Sequence, residues 1–269
     1  MKYSYIIILL TVLIASPANG KDRKKKNKAA VEMQLNTNGP DFMPIQAIAD
    51  KPLPNLRKPR MLMSGGGAML CGIDVSHYQG TINWKEVAHD SNAAFAYIKA
   101  SEGGDLADDC YERNIREARK YGIKAGSYHF FRPNTPAKQQ FELFKKLVDP
   151  RKQDLVPLVD VEVIGGVSIL TMHVRLQELL SLLTDQYNGR TPVIYTGRNF
   201  YNKYFAGYQA FRKYKFMIAA YQDNEPELDA GDDYIIWQFT AKGHIDGIRG
   251  NVDRSRFVGT HGLNEILMR

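Results

Sequence analysis

Short apolar or aromatic runs alternate with helix-type hydrophobic periodicity along most of the chain after residue 71. The apolar runs are rich in β-branched and aromatic residues and are bounded by turn residues, a pattern that favours strands. We predict strands over residues 72–76, 94–100, 124–131, 156–163, 192–196, 216–221 and 234–239. Between them we predict helices over residues 84–88, 109–121, 136–148, 169–187 and 199–205.

This alternation also predicts the fold class. Strands and helices that alternate over roughly 200 residues favour a mostly parallel sheet with crossover helices. Helical patterns become sparse after residue 205, so the last third of the chain should be rich in strands. An irregular, TIM-like (β/α) barrel of the α/β class fits best, and an open doubly wound sheet is the alternative. No glycine-rich phosphate loop follows the first strand, which weakens a nucleotide-binding version of the open sheet.

The segment before the alternating region has a different composition. Residues 1–20 begin with Lys2, continue as an apolar run and end in small residues, which is typical of a signal peptide. Residues 21–68 are basic, contain five prolines and predict a tether, and the barrel domain is expected over 69–269. We expect an exported protein, either periplasmic, envelope-bound or secreted. An uncleaved N-terminal anchor is the alternative, because more positive charge follows the apolar run than precedes it.

The net charge of +7 belongs to this N-terminal segment. Residues 1–70 contain 11 Lys and Arg against 4 Asp and Glu, whereas residues 71–269 contain 25 of each. A neutral body has no electrostatic surface for a phosphate backbone, so we expect no nucleic-acid partner. The basic stretch from Lys21 to Lys28 is interpreted as a solvated tail, with contact to an anionic wall polymer or membrane surface as the alternative. The protein is expected to be a monomer.

Asp160 and Glu162 lie two residues apart within the predicted strand 156–163. In a strand this spacing places both carboxylates on one face and the intervening valines on the other. Two acids on one face of a buried strand would be costly unless they took part in chemistry. Each charge raises the pKa of the other carboxyl, which keeps one of them protonated near neutral pH as a proton donor. A strand whose acidic face meets solvent or pairs with arginines is an equal alternative on spacing alone.

Further acids and aromatic residues lie at or near the predicted strand ends. Asp74 lies in the first strand, and Asp253 follows the seventh. Parallel barrels gather their catalytic groups at the C-terminal strand ends, so these acids are expected to converge there. The side chains predicted to line the same groove are Tyr128, His129, Tyr195, Tyr221 and Trp237. Carboxylates and flat rings together suit a sugar, which presents apolar faces rimmed by hydroxyl groups.

His129 has two interpretations of equal weight, a hydrogen-bonding wall of the groove or a satisfied core histidine. No G-x-S-x-G elbow supplies a nucleophile for it. The six histidines lack metal-ligand spacing, so neither a metal nor a cofactor is expected. The two cysteines, Cys71 and Cys110, are predicted near opposite ends of the fold, which favours two buried thiols over a disulfide.

Seven motifs occur in order between about residues 72 and 257. They are Gly-Ile-Asp74-Val-Ser-His-Tyr-Gln-Gly, Ile98-Lys-Ala-Ser-Glu102-Gly, Gly126-Ser-Tyr128-His129-Phe130, Val159-Asp160-Val-Glu162, Pro192-Val-Ile-Tyr195-Thr, Trp237-Gln238-Phe239-Thr240 and Gly250-Asn-Val-Asp253. A single D-x-E is a weak signal, but the ordered set closely resembles glycoside hydrolase family 25, the lysozymes of the Chalaropsis type. The resemblance covers nearly the whole predicted barrel domain.

The resemblance implies hydrolysis of the β-1,4 bond between N-acetylmuramic acid and N-acetylglucosamine in peptidoglycan. It implies that Glu162 is the proton donor and that Asp160 assists the 2-acetamido group of the substrate, in a retaining mechanism that uses this group. Further acids and substrate contacts implied by the motifs are Asp74, Asp253, Glu102 and Gln238, beside the aromatic residues named above. Glycan strands of peptidoglycan are therefore the expected partner.

One position departs from the family pattern. The family often carries a tryptophan where Met217 stands. We expect its loss either to weaken a sugar platform or to alter which glycan decoration fits, without affecting the acids. Two other functions were weighed. A non-catalytic wall-binding module would have no need of a proton donor at Glu162. A chitinase would carry a D-x-x-D-x-D-x-E run ending at this glutamate, and the chain lacks that register.

Overall fold

A computed structural model describes residues 71–89 and 93–268, so the predicted signal peptide and nearly all of the tether, with Lys21 and Lys28, lie outside the described residues. The described strands are β1 (Cys71–Val75), β2 (Ala93–Glu102), β3 (Leu106–Ala107), β4 (Lys124–Phe130), β5 (Leu158–Asp160), β6 (Val193–Gly197), β7 (Lys215–Ala219), β8 (Ile236–Gly243) and β9 (Val252–Phe257). The described α-helices are α1 (Trp84–Val87), α2 (Tyr111–Lys120), α3 (Ala137–Leu147), α4 (Ile169–Gln186) and α5 (Arg198–Tyr204). None of these helices is long and apolar enough to cross a membrane.

Eight of the strands close into a barrel. Their order is β1-β9-β8-β7-β6-β5-β4-β2, and β2 pairs back onto β1. Neighbouring strands of the ring are parallel, except that β9 runs antiparallel to both β8 and β1. The short strand β3 pairs only with the end of β2. The prediction of an irregular, TIM-like α/β barrel with a strand-rich last third is confirmed.

All of the predicted strands and helices are present, but three details differ. The two-residue strand β3 was not predicted. The strand over 156–163 is shorter than predicted, since β5 ends at Asp160 and the chain turns through Gly165 and Gly166, which have φ values of 62° and 71°. Strand β9 was not predicted, and Asp253 lies within it rather than after the last strand. Its sequence Val-Asp-Arg-Ser-Arg-Phe has too few apolar positions to show a strand pattern.

Successive residues of the strands point alternately into the barrel and toward the helices, as expected for a closed sheet. Side chains such as Phe95, Tyr97 and Leu158 form the apolar filling of the barrel interior. The residues between them, such as Ala96 and Val159, pack in a second apolar cluster with the surrounding helices. Polar residues at inward positions near the C-terminal strand ends therefore lie next to the apolar side chains that fill the barrel interior.

The two cysteines are thiols in the structure. Cys71 is buried at the start of β1, as predicted. Cys110 is only half-buried, because it immediately precedes α2 at the surface, where its Sγ lies 3.9 Å from the carbonyl oxygen of Gly80. The prediction that both thiols are buried is therefore right for Cys71 and wrong for Cys110.

Candidate active site

The four predicted acids come together at the C-terminal ends of the barrel strands. Asp74 in β1 lies directly opposite Asp253 in β9, and side chains opposed in this way share one face of the sheet. Asp160 is the last residue of β5, and Glu162 follows it by two positions. Burial raises the pKa of both Asp74 and Asp160. Repulsion by Asp253 and Glu162 raises that of Asp74 further, and repulsion by Glu162 and Asp74 raises that of Asp160. Burial, together with the charge of Glu162, raises the pKa of Asp253 to about 6.

The strand argument for Asp160 and Glu162 is only partly right. Asp160 follows Leu158 on the inward side of β5, and Val159 and Val161 are buried toward the helices, as the alternation predicts. Glu162, however, lies beyond the end of the strand. Its position beside Asp160 therefore depends on the path of the chain between β5 and α4, not on the two-residue period of a strand.

Burial raises the pKa of both Asp160 and Glu162, and repulsion by the charge of Glu162 raises that of Asp160 further. A hydrogen bond from Tyr195 and the nearby ammonium group of Lys99 act in the opposite direction on the pKa of Glu162. Oδ1 of Asp160 is buried and accepts no hydrogen bond from the described part of the chain. Burial and repulsion therefore favour the protonated form of these carboxyls, and Oδ1 of Asp160 is an acceptor that a ligand could use.

Gln238 in β8 links the acids to two tyrosines. Its Nε2 donates to Oδ1 of Asp74 at 2.9 Å, and its Oε1 accepts from the hydroxyls of Tyr195 at 3.0 Å and Tyr221 at 2.9 Å. Burial and repulsion by Asp253 raise the pKa of Asp74, and the hydrogen bond from Gln238 opposes this shift. The network fixes the Gln238 amide and both phenol rings relative to the acids.

Two cations beside the acids were not predicted from the sequence. Lys99 lies on β2 with only 6% of its surface exposed, and its Nζ is 2.6 Å from Oε2 of Glu102. Arg132 pairs with the other oxygen of Glu102 through its Nε at 2.9 Å and through Nη2, and its guanidinium lies over the ring of Phe130. Burial would raise the pKa of Glu102, but the bonds from both cations outweigh it and lower the pKa. A lysine within the apolar strand Ala-Tyr-Ile-Lys-Ala is the signal that could have identified Lys99.

A cavity of about 330 Å³ lies next to this charged network. Glu102, Arg132, Asn134, Thr135 and Gly165 are among the residues that line it. The predicted contact residue Glu102 therefore has a neighbouring space that a ligand could fill. Its lining of charged groups, amide and hydroxyl suits a polar ligand.

Tyr128 and His129 are adjacent in β4 but face opposite sides of the sheet. Tyr128 is half-buried on the acid side, and its pKa is raised by burial and by the charge of Asp160. His129 has no exposed surface, since its ring nitrogens contact Ser101 Oγ at 2.8 Å and Gln140 Oε1 at 2.9 Å and its ring packs against Phe144 of α3. Burial lowers its pKa to about 4. Of its two interpretations, the geometry supports the satisfied core histidine, and it argues against direct contact with a substrate.

Trp237 is also less available than the sequence suggested. Its indole Nε1 donates to the carbonyl oxygen of Ala220 at 2.7 Å, and the guanidinium of Arg256 lies 4.7 Å from its ring. Only 2% of its surface is exposed, so it supports the end of β7 instead of forming an open sugar platform. Met217, at the position where the family often has tryptophan, is fully buried in the barrel interior. Within residues 71–89 and 93–268, no three His, Cys, Asp or Glu side chains are grouped as metal ligands.

Carboxyls and phenol rings gathered at the C-terminal strand ends of a barrel suit the hydrolysis of a glycosidic bond. Residues 73–248 match the model of the glycosyl hydrolases family 25. This match spans more than half of the chain, and the protein belongs to that family.

Similarity to other proteins extends over most of the sequence. The uncharacterized protein YegX of Escherichia coli strain K12 is 37% identical over 193 residues, which cover 70% of each chain. Lysozyme M1 of Streptomyces globisporus is 32% identical over 204 residues, covering 70% of this chain and 68% of the relative. Among solved structures, the lysozyme from Streptomyces coelicolor superposes with a TM-score of 0.65 and 31% identity, over 72% of this chain and 94% of its own.

Proposed function

We propose that this family 25 enzyme is a muramidase, which hydrolyses the β-1,4 bond between N-acetylmuramic acid and N-acetylglucosamine in peptidoglycan. The observation that carries the proposal is the pair of neighbouring carboxyls at the end of β5, the buried Asp160 and the half-buried Glu162. Relatives named as lysozymes support the choice of substrate.

Glu162 acts as the general acid in the first step. Its carboxyl gives a proton to the glycosidic oxygen as the bond from this oxygen to the anomeric carbon breaks. The carbonyl oxygen of the 2-acetamido group then attacks the anomeric carbon from the other face of the sugar, forming a cyclic oxazolinium ion. The amide N–H of this group donates to Asp160, whose Oδ1 is buried and has no hydrogen-bond donor in the described part of the chain.

The hydrogen bond from the substrate amide to Asp160 also decides which of the two carboxyls is protonated. An N–H donor stabilises the ionised form of Asp160, so substrate binding moves the proton of the pair onto Glu162, where the reaction needs it. In the second step the Glu162 carboxylate accepts a proton from water. The oxygen of this water adds to the anomeric carbon and opens the oxazolinium ring, while the sugar ring stays closed. The configuration at this carbon is then retained.

The remaining acids and rings form the proposed sugar contacts. Tyr128 and the hydrogen-bonded pair Tyr195 and Tyr221 border the acids, and Gln238 holds the two phenols in place. Asp74, Asp253 and Glu102 are polar walls of the same site in this proposal. The cavity beside Glu102 extends the polar surface available to the glycan.

Exchange of Glu162 for Gln tests the proposal, because it removes the ionisable proton with little change in shape. We expect Glu162→Gln to lower the rate of reducing-end release from purified peptidoglycan by about 10²- to 10⁴-fold, the usual contribution of a general acid. Binding of the variant to the same peptidoglycan should persist. Glu178→Gln, at an exposed position of α4, is the matched control and should retain the wild-type rate.

Two results would contradict the proposal. A wild-type protein that binds peptidoglycan but releases no reducing ends would be a wall-binding module. Cleavage of chitin at a rate comparable with that of peptidoglycan would favour a chitinase. A stable covalent sugar adduct on Asp160 would keep the hydrolase but replace the acetamido mechanism by direct attack of this carboxylate.

The proposal includes export through residues 1–20 and action as a monomer on cell-wall glycan. Both inferences rest on the sequence, and the polymeric, extracytoplasmic nature of the substrate supports export. Fractionation of producing cells, with detection of the chain in the envelope or medium, would test the location.

A further inference from the structure

A largely exposed aromatic ring lies in the turn at the C-terminal end of β1, the strand that carries Asp74. Tyr78 is 80% exposed, more than any other large hydrophobic side chain in the described part of the chain. It belongs to a short 3-10 turn, His77–Gln79, that directly follows β1 and lies only four residues after Asp74. Packing in the hydrophobic core therefore does not explain why a tyrosine occupies this position.

The turn that carries Tyr78 is held by its own side chains. Oγ of Ser76 accepts from the backbone N–H of Tyr78 at 3.3 Å, and Oε1 of Gln79 accepts from the backbone N–H of Ser76 at 2.9 Å. Ser76 and Gln79 form a capping box, which satisfies backbone N–H groups at the N-terminal end of the turn. Nε2 of Gln79 also donates to the carbonyl oxygen of Asn251, next to β9, at 3.5 Å.

The ring itself is supported from behind by His77. The two ring centroids are 4.2 Å apart. Nδ1 of His77 lies 2.7 Å from Oδ2 of Asp108, which also accepts from the backbone N–H of His77 at 3.0 Å. The side chain of Asp108 has no exposed surface, so a buried carboxylate anchors the His77 ring that packs against Tyr78.

We infer that Tyr78 is a stacking platform for a sugar ring, in an outer subsite of the glycan groove that the acids define. The inference rests on the proposed function, since it names where a longer glycan strand would bind. A flat ring offers large apolar area with few rotatable bonds, and its fixed support means that little entropy is lost when a sugar binds. The apolar face of a pyranose matches this surface, whereas an aliphatic side chain would give neither flatness nor rigidity.

Steady-state hydrolysis of peptidoglycan glycan strands tests the platform. We expect Tyr78→Ala to raise KM by about three- to tenfold, with kcat changed less than about twofold, because the acids are not touched. Tyr78→Phe keeps the ring and should restore the wild-type KM. Leu170→Ala, which removes a 73% exposed apolar side chain from α4, is the control for general loss of exposed apolar surface and should behave as the wild type.

A binding measurement separates this inference from the proposed function. Sedimentation with insoluble peptidoglycan compares Glu162→Gln with the double variant that also carries Tyr78→Ala, so no turnover is needed. About three- to tenfold weaker binding of the double variant supports the platform even if the wild type proves inactive. Equal binding of the two proteins, or an unchanged KM in Tyr78→Ala, overturns it. So does a Tyr78→Phe variant that is as impaired as Tyr78→Ala.

Discussion

Among single residues, Tyr195 connects the two parts of the acid cluster. Its hydroxyl lies 3.0 Å from Oε1 of Gln238, whose Nε2 donates to Asp74. The single hydroxyl proton can instead be donated to Glu162, which lowers the pKa of that carboxyl. A donor to a carboxylate favours the ionised form, so Tyr195 holds the pKa of Glu162 below the value that burial alone would give. Tyr195 therefore helps to set the pH at which Glu162 loses its proton.

The first prediction concerns this residue. Tyr195→Phe removes the hydroxyl, and the pKa of Glu162 should rise because burial is then less opposed. A proton donor loses activity as pH rises through its pKa, so the alkaline limb of the kcat profile should move to higher pH. Measurement of kcat on peptidoglycan from about pH 4 to 9 would show the displacement.

Tyr221→Phe is the matched control. Tyr221 donates to the same Oε1 of Gln238, at 2.9 Å, but the pKa of Glu162 owes nothing to a hydrogen bond from it. Its alkaline limb should coincide with that of the wild type, whatever happens to KM. If both variants shift equally, the effect comes from Gln238 and not from contact with Glu162.

Among the elements, β9 completes the site. It is inserted antiparallel between β8 and β1, and its register places Asp253 opposite Asp74. The same pairing sets Gly72 of β1 opposite Ser255, at an inward position where the ring of Phe95 fills the space that a side chain would need. The β1–β9 pair thus depends on close packing below the acids.

Gly72→Ala tests that packing. An added Cβ would lie 2.2 Å from the Phe95 ring, which is fully buried and packs against Phe257 and Tyr97. The ring cannot move aside without disturbing its neighbours, so the free energy of unfolding should fall by about 1–3 kcal/mol. Chemical denaturation of both proteins would measure the difference.

Gly197→Ala provides the control for loss of a glycine. A Cβ at Gly197 would have no heavy atom within 4 Å, and its backbone is extended at the start of α5. The change in the free energy of unfolding should stay within about 0.5 kcal/mol. Equal effects at both positions would mean that the clash with Phe95 is not the cause.

For the whole molecule, the acid cluster opposes folding near neutral pH. The pKa of Asp253 is about 6 in the folded protein against 3.8 as its ordinary value. Below pH 3.8 both the folded and unfolded states hold the proton, so this group has no effect on stability. Between these values the unfolded chain ionises first and stability falls as pH rises, and above pH 6 the loss stays constant.

Asp253→Asn should therefore stabilise the barrel at neutral pH while impairing the site. We expect the free energy of unfolding at pH 7.5 to exceed that of the wild type by about 1–3 kcal/mol, and the difference to vanish near pH 3.5. Denaturation curves over this pH range would measure it. Asp223→Asn, at an exposed loop position, should give the wild-type pH dependence. A gain for Asp253→Asn that is the same at every pH would contradict the role of ionisation.

The sequence by itself determined the alternation of strands and helices, the class of barrel and the identity of the four acids. Hydrophobic periodicity is local, and ordered motifs record the chemistry of a family, so both can be read without coordinates. The hydrophobic pattern did not predict strand β9, because few of its positions are apolar. Only its pairing with β1 and β8 identifies it as a strand.

Only the tertiary structure decided which side chains share a space. It turned His129 toward α3, closed off Trp237, and brought Lys99 and Arg132 to Glu102 from different parts of the chain. The same holds for Glu162, which a loop and not strand alternation sets beside Asp160. Contacts of this kind depend on register, barrel closure and loop path, which are set by long-range packing that no local pattern encodes.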